Sequence, residues 1–316
     1  MKITTMHSRV RAYLTHRRKL GFLLSKEEFH LRGFASYADQ TAPGQPLTTA
    51  LALQWATSIG NNQLGYHAMR YQSVRNLARY LTALDPRTEV PPPRILGSTM
   101  IRRQPHIFTP EHVRLMMTQS RQIPHRYRYD ALRPLTYETL IGLMSCTGLR
   151  PIEAFRLRLT DFDPRAQTII VRQTKFSPQR TLPLHPTVVR ALQRYQEARR
   201  RIVPFGDHFF VYRRGTPLRS NWISAFFGRV THGVTPNGAR PRVRLGDLRH
   251  TFATRWIAAW SRRATPVPHY LVLLSRYMGH KQFNATWWYV SPDMSALQNA
   301  AHRFHQFQQD KSSNQF

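Results

Sequence analysis

The chain has 316 residues, 47 Lys and Arg against 16 Asp and Glu, and a net charge of +31. Its length suggests two domains at roughly 150 residues each, and a hydrophobic fraction of 41% excludes a disordered basic tail. The surplus charge must decorate folded surfaces and points to a polyanion, nucleic acid before membrane, since no apolar run nears the ~18 residues of a spanning helix.

The opening MKITTMHSRVRAYLTHRRKLGF has no unbroken apolar stretch or small-residue cleavage site, so no signal peptide is expected. From Ser8 to Asp85 the pattern is helical. Val10, Tyr13 and Leu14, then Leu20 and Phe22 to Leu24, read as one face of a helix or a helix and its turn. Glu27 to Ala38 places Phe29, Leu31, Phe34 and Tyr37 near helical spacing. TAPGQPLTT breaks the chain, and Thr48 or Thr49 caps a helix carrying Leu51, Leu53, Trp55 and Ile59. A fourth helix runs from Tyr66 to Leu84, completing a small bundle over residues 1–88. Its arginines Arg17, Arg18, Arg70, Arg75 and Arg79 are candidate phosphate contacts.

Residues 89–106, within DPRTEVPPPRILGSTMIRRQPH, have no period and read as a semi-rigid spacer whose Arg94, Arg102 and Arg103 suit a phosphate backbone. A second domain, 107–316, opens with Thr109 capping a helix whose first residue is Pro110. Another helix covers Leu135 to Cys146 and stops at Gly148; Cys146 is the sole cysteine, which excludes an internal disulfide and suits a reducing cytoplasm. Thr168–Arg172 and Arg180–Leu184 alternate as paired strands, with Lys175 in the connecting turn. Helices follow from His185-Pro186 through Arg201, then over Asn221–Gly228, Leu248–Trp260 and Pro268–Met278. The polar and aromatic end, Ala300 to Phe316, is a candidate for packing on a neighbouring copy.

Five side chains in the second domain form a set suited to breaking a phosphodiester: Arg150 in CTGLRPIEAFRL, Lys175 in VRQTKFSPQRTL, Arg249 in RLGDLRHTFATR, and His280 and Tyr289 in MGHKQFNATWWYV. Metal-free cleavage needs the non-bridging oxygens neutralised, a nucleophile aligned and the leaving oxygen protonated. Arginine forks match phosphate oxygens and stay charged. Lys175 is the only lysine between Lys26 and Lys281 in a chain that otherwise uses arginine, which marks a place where a titratable ammonium is needed. No HExxH, no His/Asp cluster and no phosphate-binding G-x-x-x-x-G-K-[ST] loop is present, so no metal or nucleotide cofactor is expected.

These motifs resemble the tyrosine recombinase (phage integrase) family, which reads TGLR-x-x-E, a hairpin Lys, H-x-x-R-H, GH, and a Tyr nine residues after that His. The resemblance implies a mainly α fold with a small antiparallel sheet: an N-terminal helical core-binding (SAM-like) domain and a catalytic domain, forming a C-shaped clamp on DNA. It implies Arg150, Arg249 and His280 on the scissile phosphate, Lys175 as acid for the departing 5′ oxygen, and Tyr289 as the nucleophile of a 3′-phosphotyrosyl bond. Glu153 would orient Arg150, and His250 matches the family's second histidine. Gly246 stands where the family usually carries the histidine that exchanges the nucleophile's proton. Another side chain (His250, Arg244 or His269) or a water would then serve, or the chain would be an impaired partner of an active recombinase. The implied partners are double-stranded DNA with an inverted-repeat core site and a homo-tetramer that exchanges strands through a four-way junction, in the cytoplasm on the nucleoid. A type IB topoisomerase, which shares the chemistry without exchanging partners, and a non-catalytic DNA-binding accessory protein are the rivals.

Overall fold

A computed structural model of the chain describes residues 5–60, 64–99, 104–124, 130–172, 179–234, 243–261, 267–280, 282, 286 and 289. Lys175, Arg102, Arg103, Trp287, Trp288 and the final segment from Ala300 lie outside the described residues. The fold is mainly helical with a small antiparallel sheet, and it divides into two compact units, 1–103 and 104–316. No helix among the described residues is long and apolar enough to cross a membrane.

The first unit holds α1 (Met6–Lys19), α2 (Ser25–Thr41), α3 (Thr49–Thr57) and α4 (Leu64–Leu81). Each contributes one apolar stripe at helical spacing: Val10, Tyr13 and Leu14; Leu31, Phe34 and Ala38; Leu51, Ala52 and Trp55; Val74, Leu77 and Leu81. Burying each large side chain contributes about 1.5–3 kcal/mol. Thr48 caps α3 by accepting from the Leu51 N–H at 3.2 Å, worth about 1 kcal/mol.

Three sequence expectations fail here for physical reasons. Helix α1 ends at Lys19 and Gly21 takes φ +84°, so Leu20, Phe22 and Leu23 fall in an exposed turn instead of on the core face. Phe29 is 71% exposed, because the stripe that α2 buries runs through Leu31 and Phe34. Arg70 is buried, stacked 4.0 Å from the Trp55 ring with Nη2 donating to the Trp55 carbonyl at 2.6 Å, so it is no surface phosphate contact. The proline run is tied to the bundle: Tyr71 Oη donates to Pro92 O at 3.0 Å and Arg75 Nε to Pro91 O at 2.9 Å. Its carbonyls, outside any ladder, are free to accept them.

In the second unit α5 (Pro110–Arg121) and α6 (Arg133–Thr147) lead into the five-residue α7 (Pro151–Phe155). The strands β1 (Phe162–Asp163), β2 (Thr168–Val171) and β3 (Arg180–Pro183) form an antiparallel sheet in that order, with Phe162 opposite Ile169, Ile169 opposite Leu182 and Val171 opposite Arg180. Then come α8 (Pro186–Ile202), α9 (Ser220–Val230), α10 (Asp247–Ser261) and α11 (Val267–Met278). Helix α6 is buried on almost every face and is the central helix, packing Leu140, Ile141, Leu143 and Met144 among α5, α8 and α10. The site is built on its end.

Candidate active site

Gly148 ends α6 in the left-handed conformation, φ +62°, and its N–H returns to the Met144 carbonyl at 3.0 Å. A Cβ there would meet the Phe252 ring at 2.5 Å, so the turn that carries Arg150 lies directly on α10. Arg150 is extended (φ −68°, ψ 145°) and Pro151 starts α7 at once, as the restriction on residues before proline requires. Three residues on, Glu153 accepts the Arg150 N–H at 2.9 Å and Arg150 Nη1 at 2.9 Å. TGLRPIE is thus a helix stop, an extended arginine and a short helix whose acid holds that arginine.

Gly279 ends α11 in the same way. Its φ is +67°, its N–H bonds the Arg276 carbonyl at 3.0 Å, and the His280 N–H reaches back to Ser275 O at 3.0 Å. This pair of bonds is a Schellman cap, which turns His280 sharply off the helix end. His280 Nδ1 lies 2.8 Å from Oγ1 of the fully buried Thr286, and the Thr286 carbonyl accepts the Tyr289 N–H at 3.0 Å. Thr286 thus links His280 to Tyr289.

Arg249, the third residue of α10, ties these turns together from a position only 5% exposed. Nη1 donates to Gly148 O at 2.8 Å, Nη2 to Met278 O at 2.8 Å and to His280 Nε2 at 2.9 Å, and Nε faces Tyr289 Oη at 3.3 Å. Arg150 Nη2 reaches Gly279 O at 3.3 Å. The Tyr289 ring lies parallel to His280, 5.7 Å away at 8°, and is flanked by His250, 4.9 Å away at 48°. Arg150, Arg249, His280 and Tyr289 therefore share one cluster, with Glu153 beneath it and His250 beside it.

Burial, and then the positive charge of Arg249 and Arg150, lowers His280 to about 3; burial with Arg249 and Arg244 lowers His250 to about 4. Both imidazoles are neutral near pH 7, so His280 Nε2 accepts from Arg249 while Nδ1–H donates to Thr286. Burial also lowers Arg249, against the opposing pull of Tyr289. Burial alone would raise Glu153, but bonds from Arg180 and Arg150 outweigh it and bring the carboxyl to about 2. The cluster is cationic, with a buried phenol packed against it.

A Cβ on Gly246 would meet nothing within 4 Å, so the place of the family's histidine is open. Arg244 lies 3.8 Å from Asp247, and His269 is exposed on α11. Among the described residues, no group of three or more His, Cys, Asp or Glu is placed to hold a metal ion. Two contributors were not anticipated: Thr286, behind His280, and Arg180, which bonds Glu153. Only its position at the start of the return strand after Lys175 marked Arg180 in the sequence.

Known proteins agree with this geometry. The phage integrase family profile matches residues 107–296. The chain is 32% identical over 315 residues to the putative integrase/recombinase y4rB of Sinorhizobium fredii, covering 98% of this chain and 100% of that protein. The fold is similar to the Tn1549 transposon integrase in complex with transposon right end DNA, with a TM-score of 0.67 and 17% identity over 95% of this chain and 99% of that one. It is also similar to the XerH site-specific recombinase bound to palindromic difH substrate, with a TM-score of 0.64 and 18% identity over 88% of this chain and 79% of that one. The chain belongs to the phage integrase family, the tyrosine-type site-specific recombinases.

Proposed function

We propose that this recombinase cuts and rejoins double-stranded DNA at an inverted-repeat core site, with Tyr289 as nucleophile. The observation that carries the reading is the approach of Arg249 to both Tyr289 Oη and His280 Nε2, beside Arg150. A scissile phosphate entering this cluster exchanges the guanidiniums' carbonyl partners for its non-bridging oxygens, and His280 switches tautomer, accepting the Thr286 hydroxyl at Nδ1 and donating to the phosphate from Nε2–H. Tyr289 Oη gives up its proton, to water or to His250 beside it, and bonds phosphorus while the bond to the 5′ oxygen breaks. Lys175 supplies the proton that leaves a free 5′ hydroxyl, and a 3′-phosphotyrosyl link remains. Attack by a 5′ hydroxyl of the partner duplex reverses these steps, through a four-way junction held by four copies of the chain. The helical unit supplies phosphate contacts through its exposed arginines, such as Arg18 and Arg79. Binding weakens steeply with salt, as the charge of +31 requires.

One observation favours a second reading. The open space at Gly246 suits an accessory subunit that binds DNA beside an active partner recombinase. A suicide duplex carrying the best-bound sequence separates the two. A denaturation-resistant protein–DNA adduct, lost in Tyr289→Phe, is the expected result; tight specific binding without an adduct establishes the accessory role. Relaxation of supercoiled DNA lacking the site would instead mark a type IB topoisomerase.

A further inference from the structure

We infer that Arg180 is a positioning residue for strand cleavage: it occupies Glu153 so that Arg150 keeps part of its fork for the phosphate, and it pins the turn that presents His280. The inference rests on the proposed roles of Arg150 and His280.

Arg180 opens β3, where its backbone pairs opposite Val171. Its side chain, only 9% exposed, spans three segments. Nη2 donates to Glu153 Oε2 at 2.9 Å and Nη1 to Glu153 Oε1 at 3.2 Å, while Nε donates to the Tyr277 carbonyl at 2.7 Å. The Glu153 side chain is fully buried and also accepts the Arg150 N–H and Arg150 Nη1. A carboxylate offers about four lone-pair sites, and these four bonds fill them. Arg150 therefore makes a single guanidinium bond to Glu153, its other guanidinium contacts being longer ones to the Met278 and Gly279 carbonyls, and its side chain stays 25% exposed.

Without Arg180, a buried carboxylate would keep Arg150 as its sole partner. The favoured geometry of such a pair is two parallel bonds, which would draw the Arg150 fork back onto Glu153 and away from the phosphate. The Tyr277 carbonyl would lose its donor at the last turn of α11, three residues before His280. Lysine cannot replace the fork, because an ammonium is a point donor.

The test is single-turnover cleavage of a suicide duplex at saturating full-length protein, with DNA affinity and thermal unfolding measured beside it. Arg180→Met is expected to slow cleavage about 10²-fold, the scale of a ~1 Å misplacement, with Kd for the duplex within about twofold. Adding Arg180→Met to Arg150→Ala should cost less than Arg180→Met costs alone, because the part of its effect that runs through Arg150 is already lost and only the part through the Tyr277 carbonyl remains. Adding Glu153→Gln to Arg180→Met should recover part of the rate, since a neutral amide does not capture the Arg150 fork. A folded Arg180→Met protein that cleaves at the wild-type rate overturns the inference, as does a double variant whose losses multiply. If Arg180→Met does not fold, Arg180→Lys decides the question: an intermediate rate supports the inference and an unchanged rate overturns it. Failure of the wild-type protein to form an adduct would instead remove the reading beneath it.

Discussion

Arg70 in the helical unit and Arg249 in the catalytic unit are the same chemical device in two settings. Both are buried, burial lowers the pKa of both, and both donate to carbonyls at helix ends. Arg70 closes the end of α3 at Trp55 and lies flat on that residue's own ring. Arg249 closes the ends of α6 and α11, and those are the turns that carry Arg150 and His280. A buried arginine is therefore no signal of catalysis by itself. What distinguishes Arg249 is that the backbone it organises presents other polar side chains to one point, and that its fourth contact is a phenol.

The largest effect expected from this contrast is at Arg249. Arg249→Lys keeps a charge but loses the fork, and cleavage should fall by about 10²–10³, the usual cost of one preorganised donor. Duplex affinity should change little, since the remaining positive surface supplies most of it. Arg70→Met should do the reverse, lowering stability by about 1–3 kcal/mol through loss of the charge-assisted bond to the Trp55 carbonyl and of the stacking on its ring, with the cleavage rate of the folded protein unchanged. Equal catalytic losses at both sites would break the comparison. Gly148→Ala probes the floor beneath Arg249. Its φ is +62° and the added methyl meets the Phe252 ring at 2.5 Å, so a loss of about 1–3 kcal/mol from overpacking is expected on top of backbone strain. Chemical denaturation measures it.

The same contrast explains what was legible in the sequence. TGLR and GH could be read because each glycine closes a helix in the left-handed conformation and the next polar residues follow by local geometry. Thr48 and Thr109 were legible as caps for the same reason. Leu20, Phe22 and Leu23 misled because apolar composition does not say where α1 stops. Arg70 misled because nothing local distinguishes an arginine over a tryptophan from one facing solvent. Helix α7 and strand β1 are too short for periodicity to register. Arg180 was hidden because its partners, Glu153 and Tyr277, stand 27 and 97 positions away.

Acid should discriminate between the units. His250 and His280 hold folded values of about 4 and 3 against an ordinary 6.5. The unfolded chain thus takes up these protons first, and the stability they contribute is complete above pH 6.5 and drains away as pH falls toward those folded values. Glu153, at about 2 against 4.5, adds a further loss below pH 4.5. Hydrogen exchange should therefore show the turns at Gly148 and Gly279 opening before the α1–α4 core between pH 6.5 and 4. Bound duplex should blunt the change, because a phosphate between Arg249 and His280 offsets the charge that keeps the imidazole neutral.

The smallest expected effect concerns Gly246, where the site departs from its family. A side chain added there meets nothing within 4 Å, and the position lies outside the left-handed region, so Gly246→His should fold as the wild type does. Under the proposed chemistry the Tyr289 proton passes to water or to a side chain such as His250, whose ring flanks the phenol and whose Nδ1 is buried without a hydrogen-bond partner among the described residues. General-base assistance is worth about 10²–10⁴ when newly supplied; an existing acceptor would absorb most of that. Gly246→His should therefore speed single-turnover cleavage by about tenfold, with the gain lost below pH ~6.5 as the new imidazole protonates. Speeding in the wild-type background that becomes far larger when His250→Ala is added would show that His250 carries the proton now. An unchanged rate in both backgrounds would leave water as the acceptor and put the barrier at the phosphate, with Arg150 and Arg249.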